Sequence, residues 1–291
     1  MTSSFDQRDG YIWMDGETIP WRDAKLHVLS HALHYASAVF EGVRSYNGHI
    51  FKLSEHIERL FFSAETLQMK VPYSPQQLEA ACKEILKTQK LDDGYLRPII
   101  WRGSEMLGVS AQKNKIHVAI AAWEWPSYFD PEQKMKGVRL SMAQYRRPSP
   151  ETAPCHGKAA GLYMICTIEK HRAEAEGYAD ALMLDYRGYI AETTGANVFF
   201  IDEKGVIHTP IPDCFLDGIT RRAVIELARA AGIVVTERVI MPDEMGKFEQ
   251  CFITGTAAEV TPVSEIGEHR FQIGDITKKL MEKYSALVRS F

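Results

Sequence analysis

The sequence predicts a mixed α/β protein with two domains. Three observations support this: hairpin dipeptides in the first fifty residues, amphipathic helices interleaved with apolar strands after residue 138, and an aperiodic stretch, WPSYFDPEQKMKG, between the two halves. A chain of 291 residues is long enough for two medium-sized domains. We therefore expect an N-terminal domain at 1–124, a linker at 125–137 and a larger C-terminal domain at 138–291.

The first half begins with strands joined by tight turns. YIWMDGETI and VRSYNGHIF each contain an Asp-Gly or Asn-Gly dipeptide, and both dipeptides favour two-residue hairpins. LSEHIERLFFSAETLQM follows, with apolar residues on one helical face and Ser54 as its candidate N-cap. A second helix is predicted to begin at Ser74, because Pro75 suits the first helical position and Gln77 completes a capping box.

Strands and helices alternate along the rest of the chain. The expected strands are YLRPIIW, IHVAIAA and then residues 138–145, 181–186, 197–202, 206–209, 233–240 and 250–254. The expected helices are 162–176, 219–231 and 274–290. Gly177 and Gly232 stand where glycines that end helices belong.

Composition and charge exclude several classes of protein. The net charge is −4 without a basic stripe, which argues against nucleic acid as a partner. No apolar run reaches the ~18 residues that span a bilayer, so no membrane association is expected. The start MTSSFDQRDG is polar, and we do not expect it to act as a signal peptide. Five cysteines without a CxxC pair indicate free thiols, and the expected location is the reducing cytoplasm.

The stretch LHVLSHALHYASAVFEG contains three histidines. His27, His31 and His34 are spaced so that a helix would align them on one face. With Glu41 as a fourth ligand they are compatible with a metal site. The alternative is a set of hydrogen-bonded histidines near a packed interface. The spacing leaves both interpretations open.

Four other stretches have the composition of a ligand site. In APCHGKAAGLYMI, Lys158 lies among small residues, where a ligand can approach closely. In GYIAETTGANVFF, Glu192 stands between a strand end and a Thr-Thr-Gly turn. LDGITRRAVIELA begins a helix whose backbone N–H groups at Ile219 and Thr220 could hold a phosphate. ITGTAAEVTPV leads from a strand into a turn at 255–257.

These motifs, in this order, resemble the class IV aminotransferases, which are the fold-type IV pyridoxal-phosphate enzymes, and most closely their bacterial branched-chain-amino-acid branch. The resemblance runs from YIWMDGE through HALHYASAVFEGVR, HIERL, YLRP, KAAGLY, AETTGANVFF and DGITR to GTAAEVTPV. It implies two α/β domains with the cofactor in the cleft between them. It also implies ping-pong transfer of an amino group between L-leucine, L-isoleucine or L-valine and 2-oxoglutarate.

The resemblance implies a role for each residue on the cofactor side. Lys158 would bind the aldehyde of pyridoxal 5′-phosphate and move the substrate proton, with pyridoxamine phosphate as the aminated form. Glu192 would keep the pyridine nitrogen protonated, and Tyr163 would hydrogen-bond the phenolic oxygen. The expected phosphate ligands are Arg59, Ile219, Thr220 and Thr256.

Residues on the substrate side are implied in the same way. Tyr95, with the amides of Thr256 and Ala257, would hold the α-carboxylate. Arg97 would accept the second carboxylate of glutamate. Residues expected to wall an apolar pocket are Phe40, Trp125, Tyr128 and Tyr163.

The family also suggests how copies of the chain associate. Tyr35 and Val109 resemble residues that reach the pocket of a neighbouring subunit, so we expect a homodimer or a dimer-based hexamer with active sites completed across the interface. The family has no metal at the histidine stretch, and we expect the histidines to orient Tyr35 and Phe40 instead.

Two other activities stay open for a chain with these motifs. A D-amino-acid or (R)-amine transaminase would keep the cofactor residues but bind carboxylates differently. A pyridoxal-phosphate lyase of the same fold would not need the YLRP pair. An inactive scaffold is disfavoured because Lys158, Glu192 and Tyr163 are all present.

Overall fold

The chain folds into two compact units. The computed structural model describes residues 4–125 and 135–290. Among these, the first unit contains 4–125 and the segment Gly157–Gly161, and the second contains 135–156 and 162–290. The segment around Lys158 thus packs with the first unit, which differs from a single continuous domain at 138–291. Most of the predicted linker at 125–137 lies outside the described residues.

The first unit is an antiparallel sheet with helices beside it. Its α-helices are α1 His31–Tyr35, α2 Leu53–Thr66 and α3 Pro75–Thr88, and its strands are β1 Tyr11–Met14, β2 Glu17–Pro20, β3 Ala38–Phe40, β4 Val43–Tyr46, β5 His49–Ile50, β6 Gly94–Arg102 and β7 Ile116–Glu124. The strand order is β2-β1-β7-β6-β4-β5, and β3 also pairs with β6. The apolar face of α3 packs on β1, β6 and β7, and α2 packs on α3 and β3.

The second unit is a larger mixed sheet with three α-helices among the described residues. The helices are α4 Tyr163–Ala175, α5 Ile219–Ala230 and α6 Asp275–Leu287, and the strands are β8 Val138–Met142, β9 Asp180–Leu184, β10 Ile190–Thr193, β11 Asn197–Asp202, β12 Ile207–Thr209, β13 Val235–Glu237, β14 Phe248–Gly255, β15 Glu259–Ile266 and β16 His269–Arg270. The order is β10-β9-β8-β15-β14-β11-β12-β13, with β16 beside β15. Because β10 also pairs with β11, six strands close into a ring.

The predictions for the hairpin turns, the capping box and the glycines that end helices are confirmed. Positive φ angles occur at both positions of each hairpin dipeptide, as such turns require: Asp15, Gly16, Asn47 and Gly48. Ser74 and Gln77 form the predicted capping box at the start of α3. Gly177 and Gly232 have φ angles of +80° and +75°, which suits glycines that end helices.

Other local predictions are wrong. Helix α2 begins at Leu53 after Lys52, which has a φ of +49°, so Ser54 is not its N-cap. Strands β3, β10, β15 and β16 are missing from the expected set. β15 contains Pro262, and a proline inside an apolar run argues against a central strand because it donates no hydrogen bond.

The buried interior of the second unit is formed mainly by its strands. Leu140, Val198, Ile253 and Val263 belong to one cluster of buried apolar side chains from β8, β11, β14 and β15. All five cysteines are buried and free. Among the described residues, no helix has both the length and the apolar character needed to cross a membrane.

Candidate active site

Lys158 is held by backbone contacts within the first unit. Its N–H donates to the Ser63 hydroxyl over 2.9 Å, and its carbonyl accepts from the Phe40 N–H over 3.2 Å. A bridge between Val39 and Ala159 extends the pairing of β3. The lysine backbone is therefore fixed by a helix and a strand, while the residue stays partly exposed.

The Lys158 amine lies among aromatic and charged groups. Its Nζ is 5.1 Å from the centroid of the Phe40 ring. Burial lowers the pKa of Lys158, the Arg59 guanidinium lowers it further, and Glu41 opposes both effects. A larger fraction of the amine is therefore uncharged near neutral pH than in a solvated lysine. A nucleophile and proton carrier needs this property.

Arg59, the predicted phosphate ligand, is joined to a buried carboxylate. Its Nε and Nη2 donate to the two oxygens of Glu41 over 2.6 and 3.0 Å. Glu41 is fully buried and lies 2.7 Å from His56 Nδ1. Burial alone would raise the pKa of Glu41, but Arg59 and His56 hold it far below its usual range. The carboxylate is therefore ionised and paired with Arg59.

Tyr95 and Arg97 lie two residues apart on β6, so their side chains project from the same face of the sheet. Arg97 Nη2 donates to Tyr95 Oη over 3.2 Å, and Arg97 Cζ is 4.9 Å from the centroid of the Phe40 ring. The rings of Tyr95 and Trp125 pack with centroids 4.7 Å apart. The structure thus brings these four predicted substrate residues together. Tyr128 lies outside the described residues.

Tyr35 and Val109 lie on neighbouring exposed segments of the first unit, with 45% and 88% of their surfaces accessible. His31 connects these segments. Its ring stacks on Tyr35 with centroids 4.5 Å apart, and its Nε2 is 2.7 Å from the Gly108 carbonyl oxygen. Tyr35 and Val109 border a cleft of about 510 Å³ in this unit.

The three histidines do not share one helical face, so that prediction is wrong. Helix α1 contains His31 and His34 but not His27. His34 Nε2 is 2.9 Å from the Val28 carbonyl oxygen, and His27 Nδ1 accepts from the Leu29 N–H over 3.1 Å. The three rings therefore bond to different groups, and His31 bonds to Gly108 outside this segment.

One group of potential metal ligands occurs among the described residues, in the second unit. It consists of Asp185, Asp213 and Cys214. Arg187 Nη2 lies 2.6 Å from an oxygen of Asp185 and 2.7 Å from one of Asp213. Because this guanidinium already pairs with both carboxylates, we assign no metal to the group.

Glu192 lies where the ring of strands in the second unit closes. Its backbone pairs with Met183 on β9 and with Asn197 on β11. Its Oε1 is 3.3 Å from Arg147 Nε, and its Oε2 accepts from Asn197 Nδ2 over 3.4 Å. Burial would lower the pKa of Arg147, but Glu192 raises it above the usual value. Arg147 therefore stays charged beside Glu192.

Asn197 also links this carboxylate to the start of α5. Its Nδ2 donates to the Leu216 carbonyl over 2.9 Å, and a Cβ at Gly218 would clash with its Oδ1. Gly218 precedes α5, and no described side chain caps this end of the helix. The first buried residues of the helix, whose N–H groups can bind an anion, are Ile219 and Thr220.

The remaining predicted residues of the second unit lie in a turn and at a helix start. Thr256 and Ala257 are partly exposed in the turn between β14 and β15, as the small-residue motif predicts. Tyr163 is the first residue of α4 and contributes to the electrostatic environment of Arg147. Tyr163 and Glu192 are therefore both neighbours of one buried guanidinium.

Sequence reasoning missed Ser63, Arg147 and Asn197, which contact predicted site residues, and His56, which contacts Glu41. It considered Glu41 only as a metal ligand and not as the partner of Arg59. His56 and Arg59 are three apart on α2, a spacing that puts them on one face, so this pair could have been found. Arg147 lies in the aperiodic stretch RRPSP, which carries no comparable signal.

Each unit contains residue types that suit a phosphorylated aldehyde as cofactor. The first unit supplies an amine with a lowered pKa and a phosphate-binding type of side chain, a guanidinium. The second supplies a carboxylate and a helix start with available N–H groups. Such groups can anchor a phosphate, protonate a ring nitrogen and move a proton at carbon.

Residues 38–266 match the family described as amino-transferase class IV. The chain belongs to this family of class IV aminotransferases. It is 41% identical over 283 residues to a probable branched-chain-amino-acid aminotransferase of Rickettsia felis, covering 96% of each chain. It is 39% identical to the branched-chain-amino-acid aminotransferase of Pseudomonas aeruginosa, covering 98% of this chain and 95% of that one.

Solved structures agree with this assignment. The T.th. branched-chain amino acid aminotransferase with pyridoxamine 5′-phosphate has a TM-score of 0.93 and 39% identity, covering 97% of this chain and 95% of that one. The same enzyme with N-(5′-phosphopyridoxyl)-L-glutamate has a TM-score of 0.92 and 38% identity, covering 97% and 95%. The same enzyme complexed with 4-methylvaleric acid has a TM-score of 0.90 and 38% identity, covering 97% of this chain and 94% of that one.

Proposed function

We propose that this protein is a pyridoxal-phosphate-dependent branched-chain-amino-acid aminotransferase. It transfers the amino group by a ping-pong reaction between L-leucine, L-isoleucine or L-valine and 2-oxoglutarate, giving branched 2-oxo acids and L-glutamate. One observation carries the proposal: Lys158 has a lowered pKa, and Tyr95 and Arg97 are close enough to influence that pKa. The chain in which this occurs belongs to the class IV aminotransferases. A lyase would need Lys158 but not Tyr95 and Arg97.

The cofactor, when bound, supplies a conjugated ring that withdraws electrons from the substrate Cα. Lys158 anchors it and afterwards carries the proton that leaves Cα. Glu192 keeps a proton on the ring nitrogen, while Arg147 holds this carboxylate in place. Tyr163 hydrogen-bonds the phenolic oxygen. The phosphate ligands are Arg59, the N–H groups of Ile219 and Thr220, and Thr256.

Substrate recognition combines carboxylate binding with an apolar wall. Tyr95 and the amides of Thr256 and Ala257 hold the α-carboxylate, and Arg97 accepts the second carboxylate of glutamate. Phe40 and Trp125 contact the branched alkyl chain. The T.th. enzyme supports this division, since its structures contain a glutamate adduct and a branched aliphatic acid.

Exposed residues of the first unit suggest that the enzyme works as a homodimer or a dimer-based hexamer. Tyr35 and Val109 are both exposed, and His31 holds their segments together. In an assembly they would line the pocket of the neighbouring copy. The five buried free thiols support a location in the reducing cytoplasm.

An amino-donor panel with 2-oxoglutarate as acceptor tests the activity. L-leucine, L-isoleucine and L-valine are expected to yield their 2-oxo acids and L-glutamate, whereas D-amino acids and (R)-amines react slowly. Turnover confined to D-amino acids or (R)-amines would replace the proposal with the corresponding transaminase. A product released without any acceptor would identify a lyase.

Replacing Arg97 by alanine tests the two kinds of substrate recognition. A charge-assisted hydrogen bond contributes about 1.5–3 kcal/mol, so kcat/KM for glutamate should fall roughly 10- to 150-fold. The leucine half-reaction should change little, because leucine has no second carboxylate. Single-turnover measurements with each amino acid alone separate the two half-reactions.

Tyr95→Phe is the comparison variant for this test. It removes the Tyr95 hydroxyl that Arg97 contacts but keeps the guanidinium. Suppose that Arg97→Ala lowers kcat/KM equally for glutamate and leucine, and that Tyr95→Phe lowers it by the same factor. Arg97 would then act through the α-carboxylate site. Dual recognition by Arg97 would then be wrong.

Gly42 leaves the space that Tyr95 occupies, because a Cβ at this position would clash with the Tyr95 hydroxyl. Gly42→Ala is therefore expected to displace Tyr95 and raise the KM for both leucine and glutamate, each by about 10-fold from the loss of one charge-assisted hydrogen bond. Steady-state kinetics would measure this change. Unchanged KM values in a folded variant would contradict the assignment of Tyr95 to the α-carboxylate that both substrates share.

A further inference from the structure

Glu41 is a buried carboxylate that the proposed reaction does not use. It accepts four N–H groups: Arg59 Nε at 2.6 Å, Arg59 Nη2 at 3.0 Å, His56 Nδ1 at 2.7 Å and the Gly42 amide at 3.2 Å. Its own N–H donates to the Pro98 carbonyl on β6 over 2.8 Å. Glu41 is therefore fixed at both its backbone and its side chain.

His56 serves this carboxylate as a neutral donor. It is 2% exposed, and burial lowers its pKa despite the opposing attraction of Glu41. A neutral imidazole with its proton on Nδ1 satisfies the contact to Glu41. The buried group consequently contains one negative charge, on Glu41, and one positive charge, on Arg59.

The same helix also fixes the lysine. Ser63 lies one turn after Arg59 on α2, and its hydroxyl donates to the Arg59 carbonyl over 2.8 Å while accepting from the Lys158 N–H over 2.9 Å. Helix α2 thus carries His56 and Arg59 toward Glu41 and holds Lys158 through Ser63. The Arg59 guanidinium and the Lys158 backbone are therefore both anchored to α2.

We propose that Glu41 and His56 are positioning residues for recognition of the cofactor phosphate. Glu41 engages the Nε–Nη2 edge of Arg59 and so sets the plane and direction of the guanidinium before the phosphate arrives. His56 holds the carboxylate in the orientation that this requires. A preset guanidinium loses less conformational freedom on binding an anion than a mobile one. The inference rests on the proposed role of Arg59 as a phosphate ligand.

Two possible roles of Glu41 predict opposite changes in phosphate binding when its charge is removed. Glu41 repels a phosphate through space, so removing its charge would strengthen phosphate binding if electrostatics alone mattered. If Glu41 acts by orienting Arg59, Glu41→Gln instead weakens it. The sign of the change therefore separates the two roles.

The experiment compares the affinities of the apoenzyme for pyridoxal phosphate and for pyridoxal, which lacks the phosphate. The ratio of the two dissociation constants isolates phosphate recognition and does not depend on turnover. Glu41→Gln is expected to lower the preference for pyridoxal phosphate over pyridoxal about 10-fold or more, as for loss of one well-oriented charge-assisted hydrogen bond. The affinity for pyridoxal itself should change little. An unchanged or increased preference in the folded variant overturns the positioning role.

His56 provides a second, milder test should Glu41→Gln fail to fold. His56→Leu removes the donor to Glu41, whereas His56→Asn keeps an N–H donor near the position of Nδ1. The preference for the phosphorylated cofactor should fall in His56→Leu and recover in His56→Asn. Equal values in both variants contradict the proposal.

Arg59→Gln separates failure of this inference from failure of the proposed function. If Arg59→Gln leaves the preference unchanged, Arg59 is not the phosphate ligand. If it lowers the preference while the Glu41 and His56 variants do not, only the positioning role is wrong. In the double variant Glu41→Gln with Arg59→Gln, the Glu41 change should have no further effect, since it acts through Arg59.

Discussion

Lys158→Ala is expected to abolish transamination while leaving the fold intact. The variant loses both the nucleophilic amine and the group that carries the proton, which together should reduce kcat by at least about 10³-fold. The fold should persist because the contacts that hold this segment are made by backbone atoms, namely the N–H to Ser63 and the carbonyl from Phe40. The cofactor should still bind, but without the visible absorbance of its lysine-linked form.

Single-turnover kinetics and the absorption spectrum measure this effect. Lys115→Ala is the matched control, because Lys115 lies in the same unit with its side chain 61% exposed. The control should keep its activity and its spectrum. Wild-type turnover in Lys158→Ala would contradict the assignment of Lys158 as the residue that binds the cofactor and carries the proton.

Glu192→Gln is expected to slow catalysis by about 10²–10³-fold, because an amide does not keep a proton on the ring nitrogen and the carbanion at Cα loses its charge stabilisation. The change also takes the negative partner away from Arg147, which is 3% exposed. The melting temperature should therefore be measured together with kcat.

Glu169→Gln is the control for the loss of a buried charge in the same unit. Glu169 is 1% exposed and accepts from the Tyr145 N–H over 2.9 Å. This variant should lose stability without a comparable loss of kcat. If kcat of the folded Glu192→Gln enzyme changes less than about fivefold, the carboxylate does not act on the ring nitrogen.

Sequence signals that involve only a few neighbouring residues were sufficient to predict much of the local structure. The hairpin dipeptides and the Ser74 capping box depend on backbone geometry within one turn, and the structure contains all of them. Most candidate residues could also be named in advance, because each belongs to a short motif of the family. Their roles remain predictions that the variants above test.

Long-range pairing accounts for what could not be predicted. The closing contact between β10 and β11 at Glu192, and the bond between Glu41 and Arg59, depend on how distant segments meet. Polar residues such as Arg147 look like ordinary surface charges in the sequence, and only burial reveals their partners. The prediction of Ser54 as an N-cap failed for a similar reason. Lys52 takes a left-handed conformation where the chain turns from β5 into α2, and the helix begins at Leu53.

The segment Gly157–Gly161 gives the first unit a discontinuous chain, with consequences for how the protein is made. Residues 4–125 are synthesised before Lys158, so Val39 on β3 has no Ala159 to pair with until the chain has grown past residue 159. The first unit is completed only after part of the second has been translated. The segment that contains Lys158 is therefore the last part of the first unit to be synthesised, and this unit is complete when a little more than half of the 291 residues have been translated.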